Sequence, residues 1–200
     1  MKIIGLCGGS GSGKGVVSSL FLEYNIPSID TDAVYRELTS GESECLKALS
    51  LEFGNEIIAD DGALNRKKLA SVVFSGDNSS IKLKKLNEIT HRFILDEARR
   101  RLLQYERQGC CAAIVDAPVL FESGFDDECD FTVCVVADRE TRISRIIQRD
   151  GISRVAAEQR INSQIPDSEL VSKCDYAVYN NSGPDALRPQ IERIVELIKK

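Results

Sequence analysis

The chain has one histidine, His91, and none of its seven cysteines stands in a C-x-x-C pair. A zinc site of cysteines and histidines therefore has no recognisable spacing. Nor does spacing support a serine–histidine–aspartate or cysteine–histidine partnership, and His91, alone in "ITHRFI" within a helical stretch, reads as structural on those grounds. No apolar run approaches the ~20 residues of a membrane span, and no signal-peptide pattern precedes the first strand-like segment. Low-complexity stretches, long linkers and internal repeats are missing, as is the N-K-x-D motif of guanine-nucleotide proteins. A net charge of −5 lacks the basic excess of a dedicated nucleic-acid or membrane-surface protein, though a local basic patch stays open. The expectation is a cytoplasmic globular protein whose cysteines are reduced and mostly buried. Oligomeric state is not legible.

What is present is an α/β pattern. Two hundred residues, 42% of them hydrophobic, are enough for one domain with an insertion. Short apolar runs predict strands at Lys2–Cys7, Ile26–Asp30, Cys110–Asp116, Asp130–Val136 and Tyr176–Asn180. A helix is predicted in "VVSSLFLEY", and the C-terminal helix carries Ile191, Ile194, Val195 and Ile198 at i, i+3, i+4, i+7. From about 41 to 109 the texture is helical: Leu46, Leu49 and Phe53 share a face, as do Leu69, Val72 and Val73. Ser80 is a candidate cap for the long helix that follows. Strands alternating with helices imply a five-stranded parallel sheet covered on both faces, in three layers. The expected division is a core of residues 1–40 and 110–200 and a helical insertion at 41–109.

The strongest signal is "GLCGGSGSGKG", a phosphate-binding loop of the form G-x-x-x-x-G-K with Gly8, Gly13 and Lys14 in its fixed places. Placed between a strand and a helix, its backbone N–H groups wrap a phosphate chain and the helix N-terminus adds partial positive charge. Gly8, Gly11, Ser12, Gly13, Lys14, Gly15 and Val16 are therefore the expected ATP contacts. The residue after the lysine is ordinarily serine or threonine, whose hydroxyl binds magnesium; here it is Gly15.

Carboxylates and arginines complete the pattern. Asp30 and Asp32, in "DTD", end the second strand, where ligands bind open parallel sheets. Asp30 reads as a helix cap; Asp32 is either a cap or the carboxylate that orients an acceptor hydroxyl and takes its proton. Asp116 closes the third strand, either as a magnesium holder acting through water or as a loop-starting residue before Pro118. Arg139, Arg142, Arg145 and Arg149 follow one another at steps of three, three and four, on one helical face. Such a run is commonly a solvated face, but guanidinium groups match phosphate oxygens in a planar fork.

Together these segments resemble the dephospho-coenzyme A kinase family. The resemblance runs from about Ile3 to Gly183 and includes "GLCGGSGSGKG", "IDTDAVYREL", "ITHRFI", "DAPVLFESGFDDECD", "RISRIIQRDGIS" and "NSG". It implies a P-loop fold, a coenzyme-A-binding helical insertion and a short lid at about 139–165. It also implies transfer of the γ phosphate of ATP, with Mg2+, to the 3'-hydroxyl of dephospho-coenzyme A, and no partner in nucleic acid or membrane. By resemblance Lys14, Asp32, Arg145 and Arg149 are catalytic. Arg145, Arg149 and Asn181 face ATP; Cys7, Asp32, His91 and Phe121 face the acceptor. Departures from the family pattern are Gly15 and Val16 for serine and threonine, Cys7 for a threonine, Arg92 for the proline after the histidine, and Asn180 for an aspartate in the nucleotide-side loop, where Asn181 keeps its match. With Gly15 the expectation is an active kinase that demands more magnesium. Two readings compete with it: a kinase of another small hydroxylated acceptor, and a non-catalytic nucleotide-binding regulator.

Overall fold

The computed structural model describes residues 1–198. It divides into two compact units, one of Met1–Ile29 with Leu102–Lys200 and one of Asp30–Arg101.

In the first unit the described strands are β1 (Lys2–Cys7), β2 (Ser28–Asp30), β3 (Ala112–Asp116), β4 (Phe131–Val136) and β5 (Tyr176–Tyr179), in the order β2-β3-β1-β4-β5. β1 runs parallel to both β3 and β4, and β4 parallel to β5. The register pairs Leu6 with Asp116 and Cys7 with Cys134, so the ends of β1, β3 and β4 lie side by side. Central strands buried on both faces need apolar residues at successive positions. Ile4, Leu6, Ile114, Val133 and Val135 supply them, with helices α1 (Lys14–Leu22) and α9 (Pro184–Ile198) adding Val17, Phe21, Leu187, Ile191 and Ile194 to the same core.

Helix α1 starts two residues earlier and stops two residues sooner than the apolar pattern suggests. Asn25 turns left-handed at φ 64° and the Ile26 N–H donates to the Phe21 carbonyl, which closes the helix end. The arginine-rich segment is two helices, α6 (Arg139–Asp150) and α7 (Arg154–Asn162). Gly151 breaks them with a left-handed φ of 65°, and Ser153 caps the second by accepting from Ala156 N. Ile143, Ile146, Ala157 and Ile161 form their own small core. Helix α8 (Asp167–Lys173) follows, an element that the sequence pattern did not mark.

The second unit contains α2 (Thr31–Leu38), α3 (Glu44–Phe53), α4 (Arg66–Val73) and most of α5 (Ser79–Arg107). Ser43 and Asn65 cap α3 and α4 through their side-chain oxygens. Cys45, Leu46, Leu49, Phe53, Leu69 and Val73 form its core, against which Tyr35 and Leu38 of α2 pack. That packing carries α2 into this unit and puts the division at Asp30 rather than 41. At the other end the Met1 ammonium pairs with Glu106, so the last turns of α5 belong with the sheet and the division falls at Arg101 rather than 109. Ser80 is not the cap of α5: the helix begins at Ser79, and the Lys82 N–H donates to the Asn78 carbonyl.

Candidate active site

The loop between β1 and α1 is shaped by close approaches that side chains would block. Gly13 precedes α1 with a left-handed φ of 95°, and a Cβ there would lie 2.1 Å from Asn180 Nδ2. At Gly9 a Cβ would lie 2.1 Å from Arg142 Nη2. The glycines admit these two polar side chains to the loop. Asn180 Nδ2 donates to the Ser12 carbonyl at 2.8 Å, and its Oδ1 accepts from Arg145 Nη2 at 3.3 Å. Arg142, only 4% exposed, donates from Nε to the Ser10 carbonyl, from Nη1 to Asp167 and from Nη2 to Gln164 Oε1. Gln164 Oε1 also accepts from Ser10 N. Arg145 Nη1 donates to the Gly11 and Ser12 carbonyls. The Ser10 and Ser12 N–H groups are bonded within the protein, and holding these carbonyls from outside leaves the other loop N–H groups to face a ligand.

Lys14 Nζ donates to the Gly8 carbonyl at 3.0 Å and lies 3.9 Å from Asp116 Oδ1. Both side chains are largely buried, 18% and 14% exposed, so their charges are poorly screened by water. Ser12 Oγ is buried and has no hydrogen-bond partner among the described residues. Gly15 is exposed on the first turn of α1, and an added Cβ would meet nothing within 4 Å. Val16 beside it is 40% exposed.

The other expected site residues separate by environment. Cys7 is buried at the end of β1. Asn181 Oδ1 accepts from the Asp138 N–H. Phe121 is half-buried, with the Lys173 ammonium 5.7 Å from its ring centroid. Arg149 is exposed and donates twice to Asp150, which Arg160 also pairs with. Thus the arginine face divides by partner: Arg142 and Arg145 reach the loop, Arg139 donates to Asn162, and Arg149 stays with Asp150.

In the second unit Asp30 is the cap of α2, accepting from the N–H groups of Asp32 and Ala33. Asp32 is therefore not the cap. It is exposed, whereas the Asp30 carboxylate also faces Arg36. His91 lies half-buried in α5.

Of two supports of the loop, Gln164 has no role in the sequence reading, and Asn180 enters it only as a departure from the family pattern. An asparagine after a short strand and a glutamine before a proline-containing turn carry no motif; only the fold brings them to the glycines.

A glycine loop between the central strand and a helix, with its lysine beside the carboxylate that ends the neighbouring strand, defines a P-loop phosphotransferase. Within that class the chain belongs to the dephospho-CoA kinase family, whose sequence model matches residues 2–185. It is 37% identical to a dephospho-CoA kinase of Geobacter sulfurreducens over 194 residues, 97% of each chain. It is also 37% identical to one of Fusobacterium nucleatum, over 99% of each. A crystal structure from Thermus thermophilus matches it with a TM-score of 0.76 at 28% identity, over 98% of this chain and 97% of that one. Among the described residues no helix is long and apolar enough to cross a membrane.

Proposed function

We propose that this chain transfers the γ phosphate of ATP to the 3'-hydroxyl of dephospho-coenzyme A, and that the loop from Gly8 to Val16 holds the donor. The observation that carries this reading is the Lys14 ammonium, bonded to Gly8 and 3.9 Å from Asp116 in a largely buried setting. A cation so placed faces the β and γ phosphates and offsets charge that grows in the transition state. The loop N–H groups take the phosphate chain. Arg145, already bonded to two loop carbonyls, is the arginine nearest the phosphates, and Arg149 joins it by exchanging Asp150 for phosphate as α6 and α7 act as a lid. Asn181 contacts the nucleotide side.

Asp32 orients the acceptor hydroxyl and accepts its proton. Its freedom from capping duty supports that role. His91, in the helical unit that serves as the coenzyme-A-binding domain, and Phe121 and Cys7, in the sheet unit, are the further acceptor contacts of this reading. The protein works in the cytoplasm.

Magnesium fits the donor set with one protein ligand fewer than usual. Asp116 would hold it through water, and the open space beside Gly15 would leave room for a further water. When bound, magnesium would supply positive charge to the phosphate oxygens.

The test is mass detection of coenzyme A formed from ATP and dephospho-coenzyme A, beside a panel of shikimate, gluconate and nucleoside acceptors. Coenzyme A as the main product is the expected result. Preference for another acceptor, or ATP binding with no product at any magnesium concentration, would overturn the reading.

A further inference from the structure

Three of the cysteines converge beside the phosphate loop. Cys7 ends β1 and Cys134 is its register partner on β4. Cys174, at the C-terminal end of α8, places its sulfur 3.5 Å from that of Cys7. We propose that Cys7, Cys134 and Cys174 form a peroxide-sensitive thiol site, in which Cys174 is oxidised first and Cys7 closes a disulfide with it that stops phosphoryl transfer.

The cluster differs from the other buried thiols. Cys45 is pushed up to about 11 by burial, and Cys129 to about 12 by burial and then by Asp126 and its acidic neighbours; neither has a thiol partner. In the cluster, hydrogen bonds from Cys134 and Cys7 hold the Cys174 thiol well below its usual range, against the pull of burial and Asp175. The same bonds push Cys7 and Cys134 up, with Lys14 opposing the rise at Cys7. The thiolate is the nucleophile, so the attacking group is Cys174. It is also the one of the three that is not fully buried.

The chemistry balances with one peroxide. The Cys174 thiolate attacks a peroxide oxygen; the O–O bond breaks, the sulfur becomes a sulfenic acid and the departing hydroxide takes a proton to become water. The Cys7 sulfur then attacks the sulfenic sulfur. The S–S bond forms, the S–O bond breaks, and the hydroxide leaves with the Cys7 proton as a second water. Two electrons have passed from the sulfurs to the peroxide, and a dithiol reductant reverses the step.

Closure draws sulfurs now 3.5 Å apart to the ~2.05 Å of a disulfide. Cys7 is bonded directly to Gly8, whose carbonyl holds Lys14. The backbone there has little slack: a Cβ on Gly8 would lie 2.4 Å from the Val135 carbonyl oxygen. A shift of about 1 Å at a catalytic lysine is enough to cost one to two orders of magnitude in rate.

The loss of turnover rests on the kinase reading; the disulfide itself does not, and the two are read separately. The experiment uses the full chain carrying Cys110→Ser and Cys111→Ser, which removes the adjacent half-buried and exposed thiols. Hydrogen peroxide is added, free thiols are alkylated, and peptides are mapped by mass with and without dithiothreitol. The expected result is a Cys7–Cys174 cross-link, turnover lowered at least about tenfold, and recovery of both on reduction. Cys174→Ser, with Cys174→Ala as a second form, is expected to keep basal turnover and to lose the cross-link and the sensitivity. Absence of any cross-link within the cluster overturns the site. A cross-link that leaves turnover unchanged overturns the switch.

Discussion

Arg142 Nε donates to the Ser10 carbonyl at 2.9 Å across 132 residues of sequence, and the same guanidinium reaches Asp167 and Gln164. A planar fork with all these bonds is something a lysine cannot reproduce. Arg142 is thus a support of the phosphate loop. We expect Arg142→Lys and Arg142→Ala to raise the KM for ATP roughly tenfold and to lower stability by about 1–3 kcal/mol, with the acceptor KM little changed. ATP titration and urea unfolding check this. An unchanged KM for ATP would show that the loop holds its shape without the arginine.

Gly15→Ser enters open space on the first turn of α1. The Ser19 hydroxyl bonds the Gly15 carbonyl, not its Cα, so that contact survives. Serine is a better helix residue than glycine, and we expect a gain of roughly 0.5 kcal/mol in stability. On the proposed reading the hydroxyl would add a magnesium ligand, so half-maximal turnover is expected at lower magnesium. Magnesium titrations of the two proteins decide it, and identical curves would remove Gly15 from the account of metal demand.

Removing the charge of Asp32 tests the acceptor side. Because Asp30, not Asp32, caps α2, Asp32→Asn is expected to leave folding intact. Turnover is expected to fall by about 10²–10⁴, with ATP binding unchanged. A variant with near-normal turnover would exclude Asp32 as the proton acceptor.

Acid stability in the second unit has an identifiable source. Bonds from Arg100 and then Arg101, working against burial, hold the Glu97 carboxyl at about 2. Its folded value lies below its ordinary one, so its contribution is complete above about 4.5 and is lost as the pH falls towards 2. Glu97→Gln is expected to lose less stability than wild type across that window, in thermal unfolding followed by circular dichroism. Parallel losses in both proteins would place the acid sensitivity elsewhere.

The local parts of the fold were readable because their causes are local. The loop's glycines and lysine, the alternation of strands and helices, and the C-terminal apolar face each follow from neighbouring residues. Boundaries were less legible: Asn25 and Gly151 end helices through single left-handed residues inside otherwise helical patterns. The unmarked α8 is a seven-residue helix with one buried side chain, Leu170, too short to carry a periodic signal.

By itself the sequence determined a glycine loop of phosphate-binding form closed by a lysine, since that motif is a continuous stretch. Which arginine supports the loop and which cysteines meet were decided by tertiary structure. Strand order β2-β3-β1-β4-β5 sets Asp116 beside Lys14 and Cys134 beside Cys7. Those neighbours are far apart in the chain, and only hydrogen-bond register between strands brings them together.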